Sequence, residues 1–104
     1  MSVAELFKET RLPVLAAPLF IISYPELVIA QCKAGVIGSF PALNARPAEE
    51  LEKWIVKISS ELEQYKKDNP DEIVSPFAVN QICHSSNDRL EHDVNVCVKH
   101  KVPM

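Results

Sequence analysis

Four polar side chains end or follow one apolar run, and their types suit ligand chemistry. Asn80 and Gln81 end the run, and Cys83 and His84 come directly after it. A carboxamide offers a hydrogen-bond donor and an acceptor together, which suits the mixed edge of a heterocyclic ring. Buried carboxamides more often satisfy neighbouring backbone groups, and the spacing alone leaves this alternative open.

Metal and nucleophilic chemistry find less support in the sequence. Cys83 and His84 could form a zinc site with Cys97 and His100, but the spacing matches no compact zinc motif. Cys97 is better explained as a small core residue of a helix. We therefore predict no metal site. We also find no nucleophile with a base and an orienting group beside it.

Three cycles of an apolar run, a loop and an amphipathic helix must position these side chains. The apolar runs are residues 12–20, 36–40 and 73–82. Runs without alternation are typical of strands that are buried on both faces, and repeated strand-helix units predict a parallel α/β sheet with right-handed connections. Residues 101–104 look like the beginning of a fourth strand, so we expect the chain to be part of a larger protein.

Boundary signals and periodicity define the predicted helices. Ser23 and Glu26 have the spacing of a capping box, and Gly35 is the expected terminator of the first long helix. The second begins at Pro47 and ends before Pro70. Its apolar stripe is formed by Leu51, Trp54, Ile55, Ile58, Leu62 and Tyr65. The predicted buried face of the last helix is formed by Leu90, Val94, Cys97 and Val98.

Parallel α/β proteins bind ligands at the carboxyl ends of their strands. This rule selects residues 17–20, 39–44 and 80–84 as candidate ligand-binding segments.

Composition excludes several classes of function. The net charge of −3, with no large basic cluster, does not support nucleic-acid binding, and two glycines cannot form a dinucleotide or P-loop motif. Prolines and Glu26 interrupt the apolar stretch 13–30, so we predict no membrane span. Three cysteines without a CxxC pair favour a reducing, cytoplasmic location.

Four segments of the chain, in order and spacing, resemble the nitronate monooxygenase family, formerly called 2-nitropropane dioxygenases. They are PVLAAPL at 13–19, AGVIGSF at 34–40, PFAVNQ at 76–81 and NDRLEHD at 87–93. The similarity runs from about residue 12 to residue 104. It implies a TIM (β/α)₈ barrel that holds FMN, an oxidoreductase flavoprotein that oxidises alkyl nitronates with molecular oxygen.

The resemblance also implies what this chain would contribute. Residues 1–104 would be the N-terminal part of one FMN-binding barrel domain, with the first three βα units and the start of strand four. The family's catalytic histidine and phosphate clamp lie on later strands, so we expect no catalytic residue here and no turnover from these residues alone.

The same resemblance assigns ligand contacts to particular residues. Ala17, Pro18 and Leu19 would contact the flavin ring, with Leu19 in place of the family's usual methionine. Asn80 matches a flavin-contacting amide, and Gln81 is its neighbour. On the substrate side we place Phe40 and His84.

Two other functions stay open. One is another FMN barrel, such as an enoyl reductase. The other is a small non-enzymatic α/β interaction module. Strands with helices on one side only would leave an apolar sheet face bare, so we expect association through that face or with the rest of the barrel.

Overall fold

A two-stranded parallel sheet lies at the centre of the computed structural model, which describes residues 2–104. Gly38 pairs with Phe77 at one end of the sheet, and Pro41 pairs with Asn80 at the other. The chain also forms four helices and one short 3₁₀ helix. In chain order the elements are α1 (Val3–Phe7), α2 (Pro25–Lys33), β1 (Gly38–Pro41), the 3₁₀ helix (Ala42–Asn44), α3 (Glu50–Asp68), β2 (Phe77–Asn80) and α4 (Leu90–Lys99).

An extended segment, residues 14–19, and the last residue, Met104, continue the sheet on its two sides. Leu15 forms a parallel bridge with Ile37, supported by a hydrogen bond of 2.8 Å from the Ala16 amide to the Ile37 carbonyl. On the far side, the Val79 amide donates to the Met104 carbonyl at 2.9 Å. The passes of the chain therefore lie side by side in chain order, as the strand-helix pattern predicts.

The first predicted strand is much shorter than residues 12–20. It is reduced to the bridge at Leu15. Pro13 and Pro18 have no amide hydrogen to donate, and the amide of Leu19 donates instead to the Ser23 hydroxyl at 2.7 Å. This hydroxyl does not cap α2, whose N-cap is Tyr24 with no side-chain hydrogen bond. The predicted capping box is therefore wrong.

One face of β1 packs against the helices and forms the core. A Cβ on Gly38 would lie 2.6 Å from the Val28 carbonyl oxygen, so only glycine lets α2 approach this closely. Phe40 is fully buried and its ring meets that of Trp54 at a centroid distance of 5.5 Å. The predicted stripe of α3 is confirmed: its four aliphatic members are buried, and Trp54 and Tyr65 pack beside them.

Of two predicted helix boundaries, the end at Gly35 is confirmed and the start at Pro47 is wrong. Gly35 follows α2 with a φ of 95°, as expected for a left-handed terminator. The long helix, however, begins at Glu50, after a turn that contains Pro47.

The buried face of α4 differs from the prediction. Val98 is 71 % exposed and Val94 is also exposed, whereas Asp93 is fully buried. Val96 and Cys97 pack against the core. The prediction is therefore right for Cys97 and wrong for Val94 and Val98, and the ion pair that the buried Asp93 makes with Arg89 is described below.

Within residues 2–104, no helix combines the length and the apolar character needed to cross a membrane. Cys32, Cys83 and Cys97 are all free thiols.

Candidate functional site at the carboxyl edge of the strands

The sheet has a second face that points away from the helices at its carboxyl edge. Because side chains alternate along a strand, Gly38 and Phe40 point towards the helices, and Ser39 and Pro41 point the other way. Ser39 and Pro41 are themselves buried, so the exposed part of this second face lies on either side of β1. Asn80, the partner of Pro41, is exposed. We call the exposed residues Leu15, Ala17, Leu19 and Asn80 the open face.

Ala17, Pro18 and Leu19 lie on the loop side of the extended segment, next to the end of β1. Ala17 and Leu19 are exposed and Pro18 is partly buried. The Ser39 hydroxyl donates to the Ala16 carbonyl and so ties this segment to β1. The structure therefore presents a small apolar surface at the position selected for a flavin ring.

Asn80 and Gln81 lie on opposite sides of their strand. Asn80 is exposed on the open face, and none of the hydrogen bonds among residues 2–104 involves its carboxamide. Gln81 instead donates from Nε2 to the Cys97 Sγ at 3.5 Å, and its Oε1 is buried without a partner. Burial raises the pKa of the Cys97 thiol, which keeps the sulfur protonated at neutral pH. Gln81 is thus directed towards α4 and away from the open face.

Phe40 and His84 are not brought together. Phe40 lies in the core against Trp54, so its ring does not reach the open face. His84 lies in an exposed loop, where its Nδ1 is 2.8 Å from the Ser86 hydroxyl and accepts the Ser86 amide at 3.1 Å. These bonds stabilise the local turn and leave Nε2 free. Among residues 2–104, no three His, Cys, Asp or Glu side chains group as metal ligands would.

Sequence reasoning missed Asn44, which fastens the loop that follows the extended segment. Its Nδ2 donates to the carbonyl oxygens of Leu19 and Ser23, both at 3.1 Å, and its Oδ1 accepts the amide of Ile21 at 3.3 Å. Ile21 has a φ of 68°, which is rare for a β-branched residue. Asn44 lies within the selected segment 39–44, and a carboxamide there could have been assigned this backbone-satisfying role.

Arg89 was also missed, and it fastens the loop after β1 to α4. Its guanidinium donates to the carbonyl oxygens of Ala45 at 2.7 Å and Ala42 at 3.3 Å. It also lies 3.2 Å from the carboxylate of Asp93, which is fully buried. His92 Nδ1 contacts the same carboxylate at 2.8 Å. The i,i+4 spacing of Arg89 and Asp93 on a predicted helix was the available signal.

Comparisons of the chain with protein families, with curated proteins and with solved structures found no match. Any functional conclusion must therefore depend on the residues of the carboxyl edge and on the motifs that contain them.

Proposed function

We propose that this chain contributes one wall of an FMN site in an enzyme that oxidises alkyl nitronates with molecular oxygen, and that its βα units belong to a larger (β/α)₈ barrel. The observation that carries the proposal is the open face. Exposed apolar residues and an unpartnered carboxamide lie at the carboxyl ends of parallel segments that are arranged side by side in chain order. Barrel enzymes place their chemistry at this edge.

The residues present fit a flavin ring better than they fit a whole FMN. Ala17 and Leu19 offer exposed apolar surface, and Asn80 offers a donor and an acceptor to the polar edge of the ring. In the proposed site these residues bind and orient the ring, and Pro18 helps to exclude water from it. FMN, when bound, supplies the electron-accepting chemistry. Gln81 and Phe40 are not included, because their side chains face the helices.

His84 remains a substrate-side candidate because it lies beyond the carboxyl end of β2 with Nε2 free. The proposal assigns no phosphate contact to any of these residues, so turnover is not expected from them alone. The free cysteines support the cytoplasm as the proposed location.

A non-enzymatic role is favoured by one observation. Apolar side chains are exposed along the extended segment, and Val98 is exposed on α4. Exposed apolar surface of this kind marks interaction sites. In the barrel proposal these surfaces contact the remaining βα units, and in the alternative they contact a separate partner.

Flavin fluorescence tests the site directly. The chain is titrated into FMN and, separately, into riboflavin, which lacks the phosphate. We expect weak saturable quenching with similar affinities for both, because the proposed contacts involve only the ring. Asn80→Ala should weaken both, while the matched control Asn95→Ala on the exposed side of α4 should not.

Two outcomes would contradict this account. An absence of saturable quenching with either flavin would exclude the ring site. Micromolar affinity for FMN together with none for riboflavin would show that a phosphate anchor exists among these residues.

A further inference from the structure

A concave site lies next to Leu19 of the open face but is lined by other residues. Its cavity of about 300 Å³ lies between the loop that follows the extended segment and the start of α3. We call it the aromatic pocket and define it by Phe20, Tyr24, Arg46 and Trp54. It is separate from the proposed flavin contacts, since none of Ala17, Leu19 or Asn80 lines it.

Aromatic rings form much of the wall of this pocket. Phe20 is 62 % exposed, and Tyr24 is exposed as well. The rings of Tyr24 and Trp54 lie 5.0 Å apart at an angle of 49°. Large aromatic side chains are normally covered, so their exposure around a cavity indicates surface that is available to a ligand ring.

Arg46 is the cationic side chain of the pocket, and it has donors to spare. Its guanidinium carbon is 5.8 Å from the centroid of the Phe20 ring, and its Nε donates to the Leu43 carbonyl at 3.0 Å. Its two terminal nitrogens have no partner among residues 2–104. Asn44 is engaged with backbone atoms, and the Glu50 carboxylate is paired with Lys53 at 3.0 Å. An unpaired guanidinium matches a carboxylate in charge and geometry.

The backbone of the pocket wall is strained. Ile21 lines the cavity with a φ of 68° and is held there by Asn44. Strained conformations persist where the surrounding structure enforces them, and they cluster at binding sites. Here the conformation holds Phe20 and Tyr24, which flank the strained turn, around the cavity.

We propose that the aromatic pocket binds a small planar carboxylate, with its ring against the aromatic walls and its charge paired with Arg46. The cavity has room for a single ring with one substituent rather than for a cofactor the size of a nucleotide. This proposal does not depend on flavin binding, since the pocket is lined by different side chains.

Trp54 is the only tryptophan in the chain, so its fluorescence reports on the pocket. The probe is benzoate, compared with benzamide, which keeps the plane but loses the charge, and with cyclohexanecarboxylate, which keeps the charge but loses the plane. We expect a saturable change in Trp54 emission with benzoate and an affinity at least several-fold lower for each analogue.

Arg46→Gln should weaken benzoate binding by about tenfold or more, as expected for the loss of a charge-assisted hydrogen bond. The matched control is Arg11→Gln, which removes the same charge from an exposed ion pair with Glu72 at the opposite edge of the sheet. Circular dichroism of both variants checks that the fold is retained.

Absence of saturation with benzoate would overturn the proposal. Equal binding of benzoate and benzamide, or equal loss in the two arginine variants, would overturn the assigned role of Arg46 and with it the carboxylate ligand.

Discussion

The guanidinium of Arg89 donates to the carbonyl oxygen of Ala45 at 2.7 Å, and this bond joins the start of α4 to the loop after β1. The same guanidinium neutralises the fully buried carboxylate of Asp93. A buried carboxylate that loses its partner is left with an uncompensated charge. The Arg89–Asp93 pair is therefore the interaction in this fold that should be most sensitive to the loss of one member.

We expect Arg89→Met to lower the free energy of unfolding by about 3–5 kcal/mol. Urea denaturation measures the change. The double variant Arg89→Met with Asp93→Leu should be less destabilised than Arg89→Met alone, because it removes the orphaned charge. Lys53→Met breaks an exposed pair and should change stability by less than about 1 kcal/mol. A double variant no more stable than the single one would refute the buried-charge explanation.

Ile21→Asn is expected to preserve or increase stability, although it replaces an apolar residue by a polar one. Ile21 is exposed, so little burial is lost, and asparagine tolerates a positive φ far better than a β-branched residue does. The expected gain is about 1 kcal/mol in thermal or urea unfolding. The same change at Ile22, which is equally exposed but has no positive φ, should give no gain. Destabilisation at position 21 would show that the strain is absent.

The stability that the contact between α3 and α4 contributes should depend on pH in the acidic range. Hydrogen bonds from Lys99 at 2.8 Å and His100 at 2.7 Å lower the pKa of Glu52 to about 2, from an ordinary value of 4.5. A lowered folded-state pKa stabilises the fold above the unfolded value, so this contribution is lost as pH falls from 4.5 towards 2.

The measurement is the urea midpoint of the wild type and of Glu52→Gln across that range. The difference between the two should shrink as the pH falls. Glu63→Gln, at an exposed position on the same helix, serves as the control and should give a difference that changes little with pH. A pH-independent difference for Glu52→Gln would contradict the ion-pair explanation.

The cysteines should react with an alkylating reagent in a fixed order. Burial raises the pKa of the Cys32 thiol to about 11, whereas Cys83 is exposed. At neutral pH we expect Cys83 to be modified first and Cys32 last, because the thiolate is the reactive form. Mass spectrometry of the modified chain over time gives the order. In denaturant the three rates should converge; rapid labelling of Cys32 in the native protein would show that its site opens readily.

Elements governed by local periodicity were predictable from the sequence. The stripe from Leu51 to Tyr65 specifies α3, because burial on one side of a helix repeats every three or four residues. Gly35 ended α2 where expected, because its positive φ is a local requirement.

Features that depend on distant partners were not predictable in this way. From the sequence alone, Asp93 would be placed on the solvent-exposed side of α4. In the structure it pairs with Arg89, which also donates to the carbonyl oxygens of Ala42 and Ala45. Ser23 has the spacing of a cap, but the amide of Leu19 reaches it instead. The neighbours Asn80 and Gln81 were selected together, although the pleat of a strand directs them to opposite sides.

Asn44 and Arg89 hold their loops in place through hydrogen bonds to main-chain atoms. The bonds end on the carbonyl oxygens of Leu19, Ser23, Ala42 and Ala45 and on the amide of Ile21. Mutations that exchange the side chains of these loops leave such attachments intact. Substitutions in these loops can therefore change which ligands the carboxyl edge recognises, while the hydrogen bonds that hold the loops in place are retained.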